Sequence, residues 1–376
     1  MIDPKSFLKY IKSLGINFFT GVPDSLLKEL CACIENEESE KSHIINVNEG
    51  GAISLGMGYH LATGNIPAIY LQNSGLGNTI NPLLSLADEN VYSIPLLLIV
   101  GWRGEPGVKD EPQHIKQGAV QNDLLKAMTI HYDVIDENDS ESYRGKIEDL
   151  IVQAKKYSRP VALVVKKGTF KKYNEVLKKV NSNYKLERES ALSKLLPKLE
   201  KNAIIVSTTG KTSREIFELR KACGDSNEKD FLTVGGMGHC SQIALGISLQ
   251  KKDRPVYCFD GDGAFLMHMG ANALIGINAP SNFKHIILNN GAHESVGGQP
   301  TIGFEIDFKA IVKACGYKNG WSAENESELI SNFDKFQKSE GPSILEIKLK
   351  VGSRKNLGRP TNTPIQNKQA FMNWLN

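Results

Sequence analysis

Gly261-Asp262-Gly263 is followed, after a spacer of 25 residues, by Asn289-Asn290-Gly291-Ala292. Each motif closes a short apolar run. Residues 256–259 (Val-Tyr-Cys-Phe) and 285–288 (His-Ile-Ile-Leu) are expected as buried strands, with a helix over 265–277 between them. A strand–helix–strand unit returns the chain to the same edge of a parallel sheet, so both motifs fall at neighbouring strand ends. Gly261 and Gly263 let the backbone turn sharply and approach a ligand. Gly263 and Ala264 lead into the helix, whose first amides suit a phosphate. Asp262 supplies a hard anionic oxygen and Asn290 an amide oxygen. Gly291 permits a tight turn that exposes the carbonyl of Ala292. One carboxylate, one amide oxygen and one carbonyl, completed by phosphate oxygens and water, fit octahedral Mg²⁺.

Outward from this segment, the same alternation fills both halves of the chain. In the first half, helices are expected over 4–13, 26–33, 50–62, 78–88 and 143–157, and strands over 43–47, 68–72, 94–100 and 161–166. Asp24 or Ser25 is placed to cap the second helix. In the second half, strands are expected over 203–206, 256–259, 285–288 and 343–349, with helices between them. The fold class is therefore α/β, with two tandem domains, each a mainly parallel sheet flanked by helices. The expected boundaries are a first domain over 1–172, a Lys-, Asn- and Glu-rich linker over 173–189, and a second domain over 190–376.

Composition excludes several classes of function. The 376 residues carry 45 Lys and Arg against 42 Asp and Glu, too even a balance for a nucleic-acid or anionic-membrane footprint. Apolar runs such as residues 94–100 are far too short to span a bilayer. No signal-peptide core follows Met1, and none of the six cysteines forms a CxxC pair. Isolated cysteines in apolar segments are those of reduced protein, so a cytoplasmic location is expected. No GxGxxG or P-loop spacing is present.

The paired motifs resemble the signature of thiamine diphosphate enzymes, GDG followed some twenty-five residues later by NN. Other segments extend that likeness over nearly the whole chain. Glu49 follows the run Asn46-Val47-Asn48 and opens the small-residue stretch beginning Gly50-Gly51-Ala52, where decarboxylases of this family carry their cofactor-activating glutamate. Met237, within Gly235-Gly236-Met237-Gly238, matches the apolar residue that props the cofactor into a bent shape. Thr208-Thr209-Gly210 sits at the preceding strand end and would help to hold the diphosphate. The resemblance thus implies thiamine diphosphate and Mg²⁺ as cofactors. It also implies a pyrimidine-binding domain first and a diphosphate-binding domain second, with no middle domain between them. Cofactors of this family lie between subunits, which implies a homodimer or a higher homo-oligomer.

Residues 20–25 (Thr-Gly-Val-Pro-Asp-Ser) and 289–301 are similar to family members that decarboxylate phosphonopyruvate and to their close relatives acting on sulfopyruvate. That likeness implies conversion of 3-phosphonopyruvate to phosphonoacetaldehyde and CO₂ through a thiamine diphosphate ylide, in phosphonate biosynthesis. Sulfopyruvate is the alternative substrate; a carboligase and a non-catalytic subunit are the more distant readings. A phosphonate needs cations, and residues 101–118 offer Arg103, Lys109 and Lys116 after a strand end. Arg103 is the residue able to grip it with two parallel hydrogen bonds. Ser25, Ser295 and Thr301 can donate further bonds. Besides Glu49, the candidates for proton transfer are Asp24, His114 and His293. Glu294 lies too close to Asn290 to match the family's acid–base glutamate and is given no role.

Overall fold

The computed structural model describes residues 1–175 and 182–376. The chain divides into two units, Met1–Lys179 with Ser295–Pro300, and Val180–Glu294 with Thr301–Asn376. The expected linker over 173–189 falls partly on residues outside the described ones. Of its described ends, Tyr173 is buried, and its N–H donates to Glu29 Oε2 at 2.8 Å in the first unit. Arg188 opens a helix of the second unit.

In the first unit the elements run α1 (Pro4–Ser13), β1 (Phe19–Gly21), α2 (Lys28–Glu37), β2 (His43–Ile45), α3 (Glu49–Thr63), β3 (Ala68–Gln72), α4 (Leu76–Pro82), β4 (Leu97–Gly101), α5 (Pro112–Ala127), β5 (His131–Ile135), α6 (Tyr143–Tyr157) and β6 (Val161–Val165). All six strands are parallel, in the order β2-β1-β3-β4-β6-β5. Burial of the central strands follows from their near-continuous apolar sequences, because helices cover both faces. Alternate residues serve opposite layers. Tyr70, Leu97, Ile99, Leu163 and Val165 join one core, and Ile69, Leu71, Leu98, Val100 and Val164 the other.

The second unit runs α7 (Arg188–Leu195), β7 (Ile204–Ser207), α8 (Lys211–Ala222), β8 (Asp230–Leu232), α9 (Cys240–Gln250), β9 (Val256–Gly261), α10 (Asp262–Met267), α11 (Ala271–Asn278), β10 (Phe283–Asn289), α12 (Phe308–Ala314), β11 (Asn319–Ala323), α13 (Glu326–Lys338), β12 (Ser343–Lys348) and α14 (Pro364–Leu375). Its parallel order, β8-β7-β9-β10-β12-β11, repeats that of the first unit strand for strand. The sheets therefore share one topology, including the reversal of winding beside the first strand, where open sheets form ligand crevices.

Several elements depart from expectation for local reasons. Neither Asp24 nor Ser25 is the N-cap of α2, which begins at Lys28 after an uncapped Leu27. The Asp24 carboxylate instead accepts from the N–H groups of Leu26 and Leu27 within the preceding turn. The single helix expected over 265–277 is two, broken between Met267 and Ala271 around Gly270. Edge strands β5, β8 and β11 and helices α5 and α14 carried too little apolar periodicity to be expected.

Candidate active site

In the first unit, Glu49 is the first residue of α3, and Asn48 caps that helix by accepting from the N–H of Gly50 at 2.8 Å. The Glu49 side chain turns inward and is buried. Its Oε2 accepts from Asn78 Nδ2 at 2.7 Å. Burial pushes its carboxyl pKa up, and the Asn78 bond offsets that in part. Gly75 makes room for it. A Cβ on Gly75 would lie 2.4 Å from Glu49 Oε1 and 2.6 Å from its Cγ.

Asp24 lies at the end of β1 and is fully buried. Gln72, at the end of neighbouring β3, donates to its Oδ1 at 2.6 Å, and Ser74 donates to Gln72 Oε1 at 2.8 Å. Burial again raises the carboxyl, against the opposing pull of those hydrogen bonds and of Arg103. Gly101, at the end of β4, leaves the space that Asp24 occupies: a Cβ there would sit 2.0 Å from its Oδ2.

Arg103 follows β4. Its Nε donates to Asp110 Oδ2 at 2.8 Å, Nη2 donates to Asp110 Oδ1, and Nη1 donates to Ser25 Oγ at 2.8 Å. His114 Nδ1 is 3.0 Å from Asp110 Oδ1. Burial alone would raise the Asp110 carboxyl. The guanidinium, His114 and the Gly104 N–H together outweigh it and hold the group well below the usual carboxylate range. One edge of Arg103 is therefore committed to Asp110, an acid that the sequence reading did not single out. Lys109 and Lys116 are solvent-exposed.

In the second unit, Asp262 opens α10 at the end of β9 and is buried. Burial raises its carboxyl to about 6; against this act the Thr301 hydroxyl, which donates to Oδ2, and the N–H groups of Asp262 itself, Asn290 and Gly263. Asn289 is structural: Nδ2 bridges Gly303 O at 2.7 Å and Glu346 Oε1 at 2.8 Å, and Oδ1 accepts from the N–H of Gly291. Asn290 Oδ1 accepts from the N–H of Ala292 at 3.2 Å, while Nδ2 donates to Glu294 Oε2 at 2.9 Å. The Ala292 carbonyl accepts from the N–H of Glu294 at 2.9 Å. Gly291 adopts φ +65°, and a Cβ there would strike the Phe304 ring at 2.5 Å.

Glu294, given no role from sequence, is the centre of a partly buried charge network. It accepts from Arg188 Nη1 at 2.8 Å and Lys211 Nζ at 2.9 Å, and Arg188 also holds Glu215 through two bonds of 2.7 and 2.8 Å. The cations hold Glu294 ionised despite its burial. An ionised Glu294 accepts only, which fixes the Asn290 amide with its nitrogen toward Glu294. Charged residues so far apart in sequence gave no local signal for this network.

Met237, His293 and Thr301 meet at Gly263, where a Cβ would lie 3.3 to 3.4 Å from each. Burial lowers the His293 imidazole, so it is neutral at neutral pH. Thr208, Thr209 and Gly210 lie at the end of β7, with Gly210 at φ +97° before α8. Gly235 belongs to the turn before α9, in which Gly236 and Gly238 take φ +63° and +84°. Ser295 is exposed. Within the second unit, Asp262, Asn290, Ala292, Met237 and His293 are thus brought to adjoining strand ends. Within the first unit, Ser25, Arg103 and His114 are joined through Asp110 in one hydrogen-bonded cluster, Asp24 is held separately by Gln72 and feels the Arg103 charge, and Glu49 is buried against Gly75 and Asn78.

The residues fit a hard divalent cation. Asp262 is a buried carboxylate, and every candidate donor beside it is oxygen. Gly303 leaves open the space against Asp262, where a Cβ would lie 2.7 Å from Oδ2.

Residues 5–129 match the model of the thiamine pyrophosphate enzyme N-terminal TPP binding domain, and residues 210–347 that of the C-terminal TPP binding domain. These two domains in this order define the class of thiamine pyrophosphate enzymes. The chain is 32% identical to the phosphonopyruvate decarboxylase of Streptomyces viridochromogenes, covering 99% of this chain and 94% of that protein. It is 31% identical to the phosphonopyruvate decarboxylase of Streptomyces hygroscopicus, over 99% of this chain and 93% of that one. It is 29% identical to the sulfopyruvate decarboxylase of Methanosarcina acetivorans, over 98% and 96%. The chain belongs to the family of these thiamine pyrophosphate-dependent decarboxylases.

Proposed function

We propose that this protein decarboxylates 3-phosphonopyruvate to phosphonoacetaldehyde and CO₂, as a step in phosphonate biosynthesis. The observation that carries the reading is the near full-length likeness to phosphonopyruvate decarboxylases, joined to Arg103, whose charge acts on buried Asp24 in the first unit. Bound thiamine diphosphate supplies the carbon nucleophile and the electron sink that decarboxylation of a 2-oxo acid requires.

The residues then take separate tasks. Asp262, Asn290 and the Ala292 carbonyl hold Mg²⁺, and Thr208, Thr209 and Gly210 with the turns at Gly235 and Gly261–Ala264 hold the diphosphate. Met237 braces the cofactor. Asn78 occupies Glu49 Oε2, so Glu49 Oε1 is the atom that shares a proton with the cofactor's pyrimidine nitrogen. A carboxyl raised by burial suits that exchange. Asp24, also raised, holds and returns a proton at the reacting carbon, and His114 and His293 are the further candidates for proton transfer. Asp110 and Ser25 occupy three of the five Arg103 N–H groups. The remaining two, with the Ser25 hydroxyl proton, bind the phosphonate. Exposed Lys109 attracts the anion, and Ser295 is a further hydroxyl donor. A site dry enough for buried carboxyls also favours loss of charge as neutral CO₂.

The assembly we propose is a homodimer or higher oligomer, in the cytoplasm. No helix among the described residues is long and apolar enough to cross a membrane, and the six cysteines are free. Sulfopyruvate is the second substrate reading, on the likeness to the Methanosarcina acetivorans protein. The test is a parallel assay. Chelator-stripped protein receives Mg²⁺ and thiamine diphosphate, then phosphonopyruvate, sulfopyruvate or pyruvate. CO₂ release chiefly from phosphonopyruvate is expected. Release chiefly from sulfopyruvate would move the substrate, and release from none would overturn the reading.

A further inference from the structure

Three metal-ligating side chains converge inside the second unit, on one face of its sheet, with a fourth, His285, 3.5 Å from one of them. Cys258 and Asp260 are two apart on β9 and so share a face. His285 of β10 stands directly opposite Cys258 in register. Cys240, the first residue of α9, closes over them from the helix layer. All four are buried, with exposures of 0% for Cys258 and His285, 1% for Asp260 and 2% for Cys240. None has a part in the chemistry proposed above.

The spacing is not that of a disulfide, and it suits ligands of one ion. The two sulfurs are 3.8 Å apart, against about 2.05 Å in a disulfide. Two Zn–S bonds of about 2.3 Å at a tetrahedral angle put their sulfurs about 3.8 Å apart. His285 Nε2 lies 3.5 Å from Asp260 Oδ2 and has no aligned hydrogen-bond partner among the described residues. Bonds of about 2.0–2.1 Å to nitrogen and oxygen would place them about 3.3 Å apart. Ligand atoms of Cys240, Cys258 and Asp260 all lie within 4.8 Å of one another.

The surrounding hydrogen bonds set the histidine for coordination. Asn272 Nδ2 donates to Met269 O at 2.9 Å, which turns its Oδ1 toward Tyr317. The Tyr317 hydroxyl donates to that oxygen at 3.3 Å, so its own oxygen is free to accept from His285 Nδ1–H at 3.1 Å. Ligation needs Nε2, which faces Asp260 and Cys258, to give up its proton in favour of the ion and leaves the other on Nδ1. Asp260 Oδ1 accepts from the N–H of Gly261 at 2.9 Å, which leaves Oδ2 turned inward.

We infer that Cys240, Cys258, Asp260 and His285 form a structural Zn²⁺ site, distinct from the Mg²⁺ site. Two thiolates, an imidazole and a carboxylate in a closed tetrahedral shell are a donor set that selects zinc. The ion ties the start of α9 to β9 and β10. Two residues beyond Asp260 lies Asp262, and three residues before Cys240 lies Met237. The clamp therefore fixes both turns proposed to hold the cofactor, without touching it.

The test is metal content of the full-length protein, purified without added chelator and dialysed, by elemental analysis. About one zinc per chain is expected, with close to complete loss in Cys258→Ser and in Cys240→Ser. Because either variant can fail to fold, the wild type is also grown with Co²⁺ in place of zinc. A thiolate-to-cobalt charge-transfer band and the strong visible bands of tetrahedral cobalt are expected. Wild-type protein without stoichiometric zinc and without those bands would overturn the inference, as would recovery of a Cys240–Cys258 disulfide. Neither readout depends on substrate, so failure here is separate from failure of the decarboxylase reading.

Discussion

The two sheets have the same strand order, yet the same strand ends carry different chemistry. Register sets the comparison: Gln72 of β3 is opposite Gly101 of β4, and Gly261 of β9 is opposite Leu288 of β10. Asn73 and Arg103 in the first unit thereby correspond to Asp262 and Asn290 in the second. Both pairs are joined alike, with a side-chain oxygen of the first residue accepting the backbone N–H of the second, at 3.2 Å for Asn73. What differs is the side chain. A neutral amide braces the loop that carries Arg103 in the first unit, and a buried carboxylate holds the turn that carries Asn290 in the second. On the function proposed above, one backbone device would support substrate and proton handling in one sheet and metal and diphosphate anchoring in the other.

The largest effect separates the two sheets outright. Asp262→Ala removes the carboxylate from the second, and thiamine diphosphate affinity in Mg²⁺ should fall about 10- to 100-fold, as for loss of a charged partner worth about 1.5–3 kcal/mol. The corresponding Asn73→Ala should leave that affinity unchanged. Equal losses by calorimetric titration would erase the distinction. Next is Gly75→Ala. The new methyl overlaps the Glu49 carboxyl, so turnover should drop roughly 10-fold or more while cofactor affinity holds, as expected when a catalytic group is displaced by about 1 Å. Unchanged kcat would mean that the Glu49 position does not matter. Arg103→Ala should raise KM for phosphonopyruvate roughly 10-fold and leave that for pyruvate nearly level, as loss of a charge-assisted contact does. Equal shifts would make Arg103 structural.

The smallest effect is on acid stability. Asp110 has its folded pKa depressed, so it adds stability that is complete above its unfolded value and is lost as pH falls toward its folded one. Asp110→Asn should therefore flatten the slope of stability against pH on the acid side of about 4. An unaltered slope in denaturant titrations would show that the Arg103 pair contributes nothing there.

How much was legible in the sequence follows from range. Central strands such as β3 and β6 are continuous apolar runs, and Gly261-Asp262-Gly263 with Asn289-Asn290 is a local pattern at fixed spacing; both were expected near their observed places. Edge strands β5, β8 and β11 are short and half-polar, so they hid. Helix α5 hid behind the charged loop before it. The partners of the site residues were harder still. Asn78 reaches Glu49 across 29 positions, and Arg188 reaches Glu294 across 106. No periodicity records such pairs, because the sheet topology brings them together. Cys240, Cys258 and His285 looked like single apolar-core residues for the same reason.

The division of labour between the sheets is tested most directly by measuring thiamine diphosphate binding and CO₂ release together in Glu49→Gln. Glutamine keeps the shape and the Asn78 contact but cannot exchange the proton. Cofactor affinity equal to wild type, with kcat lowered about 10²- to 10⁴-fold, is the predicted result. Near wild-type turnover, or a loss of binding as large as that of Asp262→Ala, would contradict it.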